Sequence, residues 1–421
     1  MARTGFTHNT ARMEDTVKVF CGIDWSEHHH DVALVDDTGT PLAQCRITDD
    51  ATGYTQLLSL LTEYGDSPAH PIPIAIETSR GLLVAALHNG HRQVFAINPL
   101  AVARYRDRHT VSRTKSDRAD ALALAHILRT DMHRHRPLPN DSDQAKAITV
   151  LARAQQDAVW NRQQIANQAR SLLREYYPAA LEAFQSRKGG LTRPDARQVL
   201  TMAPTPAQAA RLTLAQLRRA LTRAGRSRNI DTDAHQLHAL FRTGRPRQPT
   251  PVEHAMGRQL LALLTQLDAA CQATDDLTTA VDEQLRTHPD AQILLSFPGL
   301  GPQLAARILA EMGDDHTRFS NARGLKAYAG SAPITRSSGK KRYVGRRYIK
   351  NDRLCHAGHL WAFASLSASP GAKAHYQRRR DHGDWHAAAQ RHLFNRFLGQ
   401  LYHCLQTRQP YNEEQAFGPT P

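Results

Sequence analysis

The chain has 421 residues, 41% of them hydrophobic, and carries 54 Lys and Arg against 39 Asp and Glu, a formal net charge of +15. That length and apolar content exclude a disordered chain and predict roughly two to four domains with buried cores. The excess of cations points to a polyanionic partner, nucleic acid first, because Lys and Arg that neutralise phosphates release counterions. Arg is common and Lys rare, and Arg is the side chain that forks onto phosphate and guanine. The five cysteines (Cys21, Cys45, Cys271, Cys355, Cys404) form no CxxC pair and no even framework, which argues against a zinc ribbon and predicts a reducing compartment, the cytoplasm. No apolar run approaches the length of a membrane span, and the N-terminus has no signal-peptide core, so neither membrane insertion nor export is expected.

Residues 1–15 are polar, and order is expected from Val17. Val17 to Asp24 reads as a buried central strand, and His30 to Asp36 and Pro41 to Thr48 continue as strands around the turn signal Asp36-Asp37-Thr38-Gly39, an antiparallel meander. Gly53 to Tyr64 has helical spacing, Ile72 to Glu77 is a strand, Gly81 to Asn89 a short helix, and Gln93 to Ile97 a further strand before Asn98-Pro99. A helix then runs through Asp117 and Asp120 to about Arg129. Three early strands followed by alternating helix and strand predict a ribonuclease-H-like mixed sheet with helices on both faces, over residues 16–140.

Four acids stand out in this region. Asp117 and Asp120, in Lys115-Ser116-Asp117-Arg118-Ala119-Asp120-Ala121, lie one turn apart on one helix face, and their repulsion calls for a divalent cation, or for Lys115, Arg118 and solvent. Asp24 and Glu77 end two apolar runs, which places them at neighbouring strand ends facing that helix. The run His28-His29-His30 reads as a solvated strand start, since adjacent strand residues point to opposite faces.

Residues 141–290 read as a helical, coiled-coil region. Leu151, Ala158, Ile165 and Leu172 recur every seven residues, and Leu260, Leu264, Leu267, Cys271, Thr274, Thr278, Val281 and Leu285 alternate spacings of four and three. The two stripes are expected to pair with each other or with a second copy, which predicts a homo-oligomer, dimer or tetramer. Between them lies an Arg-rich insertion, 186–250, in which Arg218, Arg219, Arg223, Arg226 and Arg228 are candidate phosphate contacts.

Residues 291–410 open with Phe297-Pro298-Gly299-Leu300-Gly301-Pro302, the pattern of a helix-hairpin-helix turn whose Gly299 and Gly301 would bring backbone N–H groups to a phosphate. Next comes Arg336-Ser337-Ser338-Gly339 with Lys340, Lys341 and Arg342, followed by Arg346, Arg347, Lys350 and Arg353. Serines among cations suit attack on a phosphodiester, because the surrounding charge would stabilise alkoxide and transition state alike.

Together these stretches resemble the DEDD transposases of the IS110 insertion-sequence family, relatives of the Piv DNA invertase. The match rests on Gly22-Ile23-Asp24-Trp25-Ser26, Ile76-Glu77-Thr78, Lys115 to Ala121, the Phe297 to Pro302 turn, and Tyr328-Ala329-Gly330 through Ser338-Gly339; Ser331-Ala332-Pro333 departs from the usual Gly-Leu-x-Pro. The resemblance implies a RuvC-like domain whose Asp24, Glu77, Asp117 and Asp120 hold Mg²⁺, a coiled coil, and a mainly helical C-terminal transposase domain with a serine nucleophile, Ser338, or Ser337 second. It also implies donor and target DNA as substrates and a structured non-coding bridge RNA as guide. Two rivals remain open at this stage: a metal-dependent nuclease of the Holliday-junction-resolvase type, and a non-catalytic nucleic-acid scaffold.

Overall fold

The computed structural model describes residues 18–109, 116–185, 187–339 and 341–418. They form two compact units, divided after Asn140.

The first unit contains β1 (Phe20–Trp25), β2 (His29–Val35), β3 (Pro41–Thr48), α1 (Ala51–Glu63), β4 (Ile74–Ile76), α2 (Leu82–Asn89), β5 (Val94–Ala96), α3 (Pro99–His109) and α4 (Asp117–Asp131). The strands make one sheet in the order β3-β2-β1-β4-β5. β1, β2 and β3 pair antiparallel, whereas β1, β4 and β5 run parallel. This is the expected mixed sheet, and the meander turn forms as its sequence requires: Gly39 takes a φ of +97°, and the Asp36 carboxylate accepts from the Gly39 and Thr40 amides.

Alternation along the strands sorts the core into two layers. Cys21, Ile23, Ile74 and Ile76 pack on one face with Leu57 and Leu61 of α1 and Leu83 and Leu87 of α2. Phe20, Val35, Ala75 and Phe95 pack on the other with Leu124, Ile127 and Leu128 of α4. Helix α4 reaches the sheet because β1 offers it a glycine: a Cβ on Gly22 would lie 2.0 Å from the Ala121 carbonyl oxygen and 2.4 Å from the Ala125 nitrogen. A larger residue forces helix and strand apart. Gly22→Val is therefore expected to destabilise this unit by about 3 kcal/mol, the upper range for overpacking, as a lowered midpoint in denaturant unfolding.

The second unit is helical apart from one hairpin. Its elements are α5 (Asp143–Tyr176), α6 (Pro178–Gln185), α7 (Pro194–Met202), α8 (Pro206–Ala210), α9 (Leu214–Arg223), α10 (Ile230–Leu240), α11 (Thr250–Arg286), α12 (Ala291–Leu295), α13 (Pro302–Met312), α14 (Ala322–Tyr328), β6 (Ile334–Ser338), β7 (Lys341–Gly345), α15 (Asp352–Ala368), α16 (Pro370–Asp381), α17 (His386–Thr407) and α18 (Glu413–Phe417). The long helices α5 and α11 pair antiparallel, with Gln144 donating to the Thr287 hydroxyl at 2.7 Å and Gln155 to Thr278 at 3.0 Å. Leu260, Leu264, Leu267, Cys271, Thr274, Val281 and Leu285 of the expected α11 seam are buried. That seam is filled within one chain, so it no longer argues for a second copy.

A core sits at each end of this pair. One joins Ile165 and Leu172 of α5 and Leu260 and Leu264 of α11 to the short helices α6 to α10. The other joins Ile148, Val281 and Leu285 to the C-terminal helices around Phe297, Trp361 and Phe397. At the first end the Arg-rich insertion is held by ion pairs. Asp195, buried to 1% exposure, accepts from Arg193 at 2.7 Å and Arg226 at 2.8 Å, and Asp233 accepts both donors of the Arg187 fork at 2.8 Å. Arg226, expected to meet phosphate, is thus a structural cation, and Arg218 is paired with Asp231 at 2.5 Å. Burial raises the Asp195 pKa, but the hydrogen bonds from Arg193 and Arg226 outweigh it and hold the carboxyl below its ordinary value. Asp195→Ala would leave Arg193 without its carboxylate and Arg226 with Asp233 alone, and is expected to cost about 3 kcal/mol, the lower end for breaking a buried pair. Because the carboxyl is depressed, its contribution is present above pH 4 or so and is lost as the pH falls; the variant should show a shallower acid limb in thermal unfolding.

Candidate active site

In the first unit the acids gather at one edge of the sheet. Ile23 pairs with Ile76 across the parallel β1–β4 ladder, so the next residues, Asp24 and Glu77, stand side by side at the C-terminal ends of two neighbouring strands. By alternation both belong to the face covered by α4. Asp117 and Asp120 occupy the first turn of α4, where Ser116 caps the helix by accepting from the Ala119 amide. The positive end of the helix dipole offsets part of their repulsion.

The electrostatics of Asp24 report this convergence. Desolvation, followed by repulsion from Asp120, Glu77, Asp117 and Asp31, pushes its pKa from 3.8 up to about 7. Nearby arginines relieve other members of the group. Asp120, nearly buried, is bonded by Arg106 of α3. Arg46 of β3 holds Asp31 through two bonds, at 2.7 and 3.3 Å, and reaches Asp117 at 3.6 Å.

Asp31 is the residue sequence reading missed. It pairs with Asp24 across the antiparallel β1–β2 ladder, and cross-strand partners share a face. The sequence holds no turn signal between β1 and β2 to fix that register, the Asp36 to Gly39 turn setting only β2 against β3. The histidine run also departs from expectation. His30 is buried, with its Nε2 3.1 Å from an Asp49 oxygen, so it is not part of a solvated strand start. His29, two residues from Asp31 and on its face, has a buried Nε2 without a hydrogen-bond partner. Among the described residues, a trio of donor atoms within 4.8 Å of one another comes from His29, Asp31 and Asp117. The crowded carboxylates, one of them raised by burial and then by its neighbours, make an oxygen donor set suited to a hard divalent cation; the imidazole nitrogen beside them is a donor of the kind transition metals prefer.

The expected basic and serine residues belong to the second unit. Ser338 is the last residue of β6, opposite Lys341 in the β6–β7 ladder, with Ser337 opposite Arg342 and Arg336 opposite Tyr343. The segment is an exposed hairpin with Gly339 at its tip at a φ of +54°. Lys340 lies outside the described residues, as does Lys115. Arg336, Lys341, Arg342 and Arg346 are exposed and Arg347 half-buried. Lys350 is drawn inward: it pairs with Asp352, and its stem covers Gly330, where a Cβ would meet it at 2.2 Å.

The Phe297 to Pro302 turn is packed into the C-terminal core. A Cβ on Gly299, at a φ of +78°, would lie 2.5 Å from the Ser365 nitrogen of α15, and Trp361 donates to the Pro298 carbonyl at 3.1 Å. Gly299 serves this close approach to α15, whereas Gly301, at the start of α13, faces open space.

A mixed five-stranded sheet with acids at adjacent strand ends and on a covering helix defines the ribonuclease-H-like, RuvC-type domain of a DEDD transposase. Residues 21–178 match the DEDD_Tnp_IS110 transposase family, and residues 291–377 match the family described as Transposase IS116/IS110/IS902. The chain is 71% identical over 406 residues to a protein of the IS117 mini-circle of Streptomyces coelicolor, an alignment covering 96% of this chain and 98% of that one. It is 26% identical to the 42 kDa protein of insertion element IS900 from Mycobacterium paratuberculosis over 94% of this chain and 97% of the other. With the 43.6 kDa protein of insertion element IS110 from Streptomyces coelicolor it shares 27% identity over 84% of each chain. The chain belongs to the IS110 family of transposases. Among the described residues no helix is long and apolar enough to cross a membrane.

Proposed function

We propose that this transposase cuts and rejoins DNA by transesterification at Ser338, assisted by Asp24, Glu77, Asp117 and Asp120. The observation that supports the reading is that Asp24 and Glu77 follow the last pair of the parallel β1–β4 ladder, Ile23 with Ile76, on the face covered by α4, whose first turn is acidic. The Ser338 hydroxyl attacks the scissile phosphorus; the P–O bond to the departing deoxyribose breaks, the sugar leaves as its hydroxyl, and a phosphoserine diester remains. Attack by the sugar hydroxyl of a second DNA end reverses the step on the new partner, so phosphodiester bonds are exchanged and none is hydrolysed. Arg336 and Lys341, on the serine's face of the hairpin, supply positive charge that favours both bound phosphate and the charged transition state, with Arg342 on the opposite face. Mg²⁺, held by the four acids with Asp31 and His29 beside them, would polarise the phosphate oxygens.

The family resemblance supports donor and target DNA as substrates and a structured bridge RNA as guide, to which the exposed cations and the turn at Gly301 offer phosphate contacts. Joining two duplexes calls for more than one serine, which is the remaining reason to propose a dimer or tetramer.

A hydrolytic reading, with water as nucleophile, draws on the acids being together in a unit that lacks the serine. A nicked suicide substrate separates the two. Incubation with Mg²⁺ should leave DNA attached to the protein through denaturing electrophoresis; cleavage to free ends with no attached species would establish hydrolysis instead.

A further inference from the structure

One face of the β6–β7 hairpin carries more than a hydroxyl and cations. Cross-strand pairs share a face, so the pairs Ser338 with Lys341, Arg336 with Tyr343 and Ile334 with Gly345 put Ser338, Arg336, Lys341 and Tyr343 together. Tyr343 is 66% exposed, an unusual position for a ring on a two-stranded ribbon that has no partner sheet. Its conformation is set by Gly345 on the same face: a Cβ there would lie 2.5 Å from the Tyr343 Cε1 and 2.9 Å from its Cζ. The absent side chain lets the ring lie down along the ribbon, with the glycine backbone beneath it and solvent above. The other exposed ring nearby, Tyr348, is engaged by Arg346, whose guanidinium carbon sits 4.6 Å from the ring centroid.

We propose that Tyr343 is a stacking platform for an unpaired DNA base flanking the phosphate at Ser338. The inference rests on the reading of Ser338 as the residue at the reacting phosphate. Diagonal neighbours on such a face stand about 7–8 Å apart, within the span of one nucleotide, so a phosphate beside Ser338, Arg336 and Lys341 can have its own base on the ring. From Pro333 to Asn351 the sequence contains cations and no acid, which suits a nucleic-acid backbone and disfavours a protein of mixed charge. A base must leave its stack to use the platform, so the site selects melted or single-stranded DNA next to the exchange point and holds the phosphate in one register. Tyr343 is on this account a positioning residue.

The test uses the full chain carrying Ser338→Ala, so that no chemistry intervenes, and a single-stranded DNA oligonucleotide with one 2-aminopurine. Stacking should quench the fluorophore on binding. Tyr343→Ala should remove the quench and weaken binding by roughly ten- to a hundredfold, while Tyr343→Phe keeps both. Gly345→Ala, which pushes the ring off the ribbon, should reduce the quench without changing any charge. Arg336→Ala should do the converse, lowering the salt dependence of binding and leaving the quench. Unchanged quenching and affinity in Tyr343→Ala would overturn the proposal. So would quenching confined to an RNA oligonucleotide of the same sequence, or a change of sedimentation in Tyr343→Ala without loss of quenching, which would make the ring a protein contact. A covalent DNA adduct persisting in Ser338→Ala, alongside Tyr343-dependent quenching, would remove the nucleophile assignment and leave the platform standing.

Discussion

Asp24→Asn and Asp120→Asn should each lower strand transfer by about 10²–10³-fold, the scale lost when a group that steadies transition-state charge is removed, yet they should move stability in opposite directions. Asn keeps the shape of Asp and removes its charge. At Asp24 that charge is a liability in the metal-free protein: desolvation and repulsion from Asp120, Glu77, Asp117 and Asp31 raise its pKa from 3.8 to about 7. A raised carboxyl contributes stability that is full below the unfolded pKa and is lost as the pH climbs through the folded one. The metal-free wild type should therefore lose stability between about pH 4 and pH 7 on account of this group, and Asp24→Asn should lack that part of the slope and melt higher at pH 8. Asp120 is different, because its carboxylate is bonded by Arg106. Its replacement weakens a charge-assisted bond at a nearly buried site and should cost roughly 1–3 kcal/mol. Thermal unfolding from pH 4 to pH 8 in the presence of a chelator, paired with strand-transfer assays in Mg²⁺, tests both arms. Wild-type transfer by either variant would dismiss the four-acid assignment, and an unchanged pH slope in Asp24→Asn would dismiss the crowding.

Much of this site could be read in the sequence because its determinants are local. Asp24 and Glu77 end apolar runs, and a strand that ends at a polar residue beside its parallel neighbour leaves both acids at one edge; Pro41 to Thr48 forms the very strand that its residues predict. Asp117 and Asp120 follow a capping serine into a helix with an apolar face. What escaped depends on strand register and packing that local sequence does not display. Asp31 joins the acids only through the β1–β2 register, and Arg46 only because β3 lies beside β2. Arg226 and Lys350 sit in runs of cations that look alike whether solvated or paired, and only folding brings Asp195 and Asp233 to the first. The heptad spacing of α11 marks residues that are buried, but periodicity does not say which helix covers them, and here α5 of the same chain does. The motif at Gly299 predicts a phosphate turn, but the same glycine equally serves close packing, and α15 takes that space. The polar composition of the serine segment gives no sign of strand pairing. The segment nevertheless pairs as a hairpin, and the pairing has a consequence for which hydroxyl can act.

Ser338→Ala should abolish the covalent protein–DNA species and lower strand transfer at least a thousandfold, the loss typical of removing a nucleophile, whereas Ser337→Ala should retain both. The distinction is one of faces. Adjacent strand residues point to opposite sides, so Ser338 shares its side with Arg336, Lys341 and Tyr343, while Ser337 lies with Thr335, Arg342 and Val344. A phosphate on the first side meets a hydroxyl, two cations and an exposed ring; on the second it meets two hydroxyls, one cation and an apolar neighbour. Ser338 is also next to Gly339, whose φ of +54° turns the chain away without a side chain in the approach. Neither alanine alters a charge, so binding to DNA and the slope of its salt dependence should match the wild type in both variants, and a loss of the adduct cannot then be assigned to lost affinity. An adduct that survives Ser338→Ala and disappears in Ser337→Ala would move the reaction to the other face of the hairpin; Tyr343-dependent quenching would then report a stacked base that does not flank the reacting phosphate.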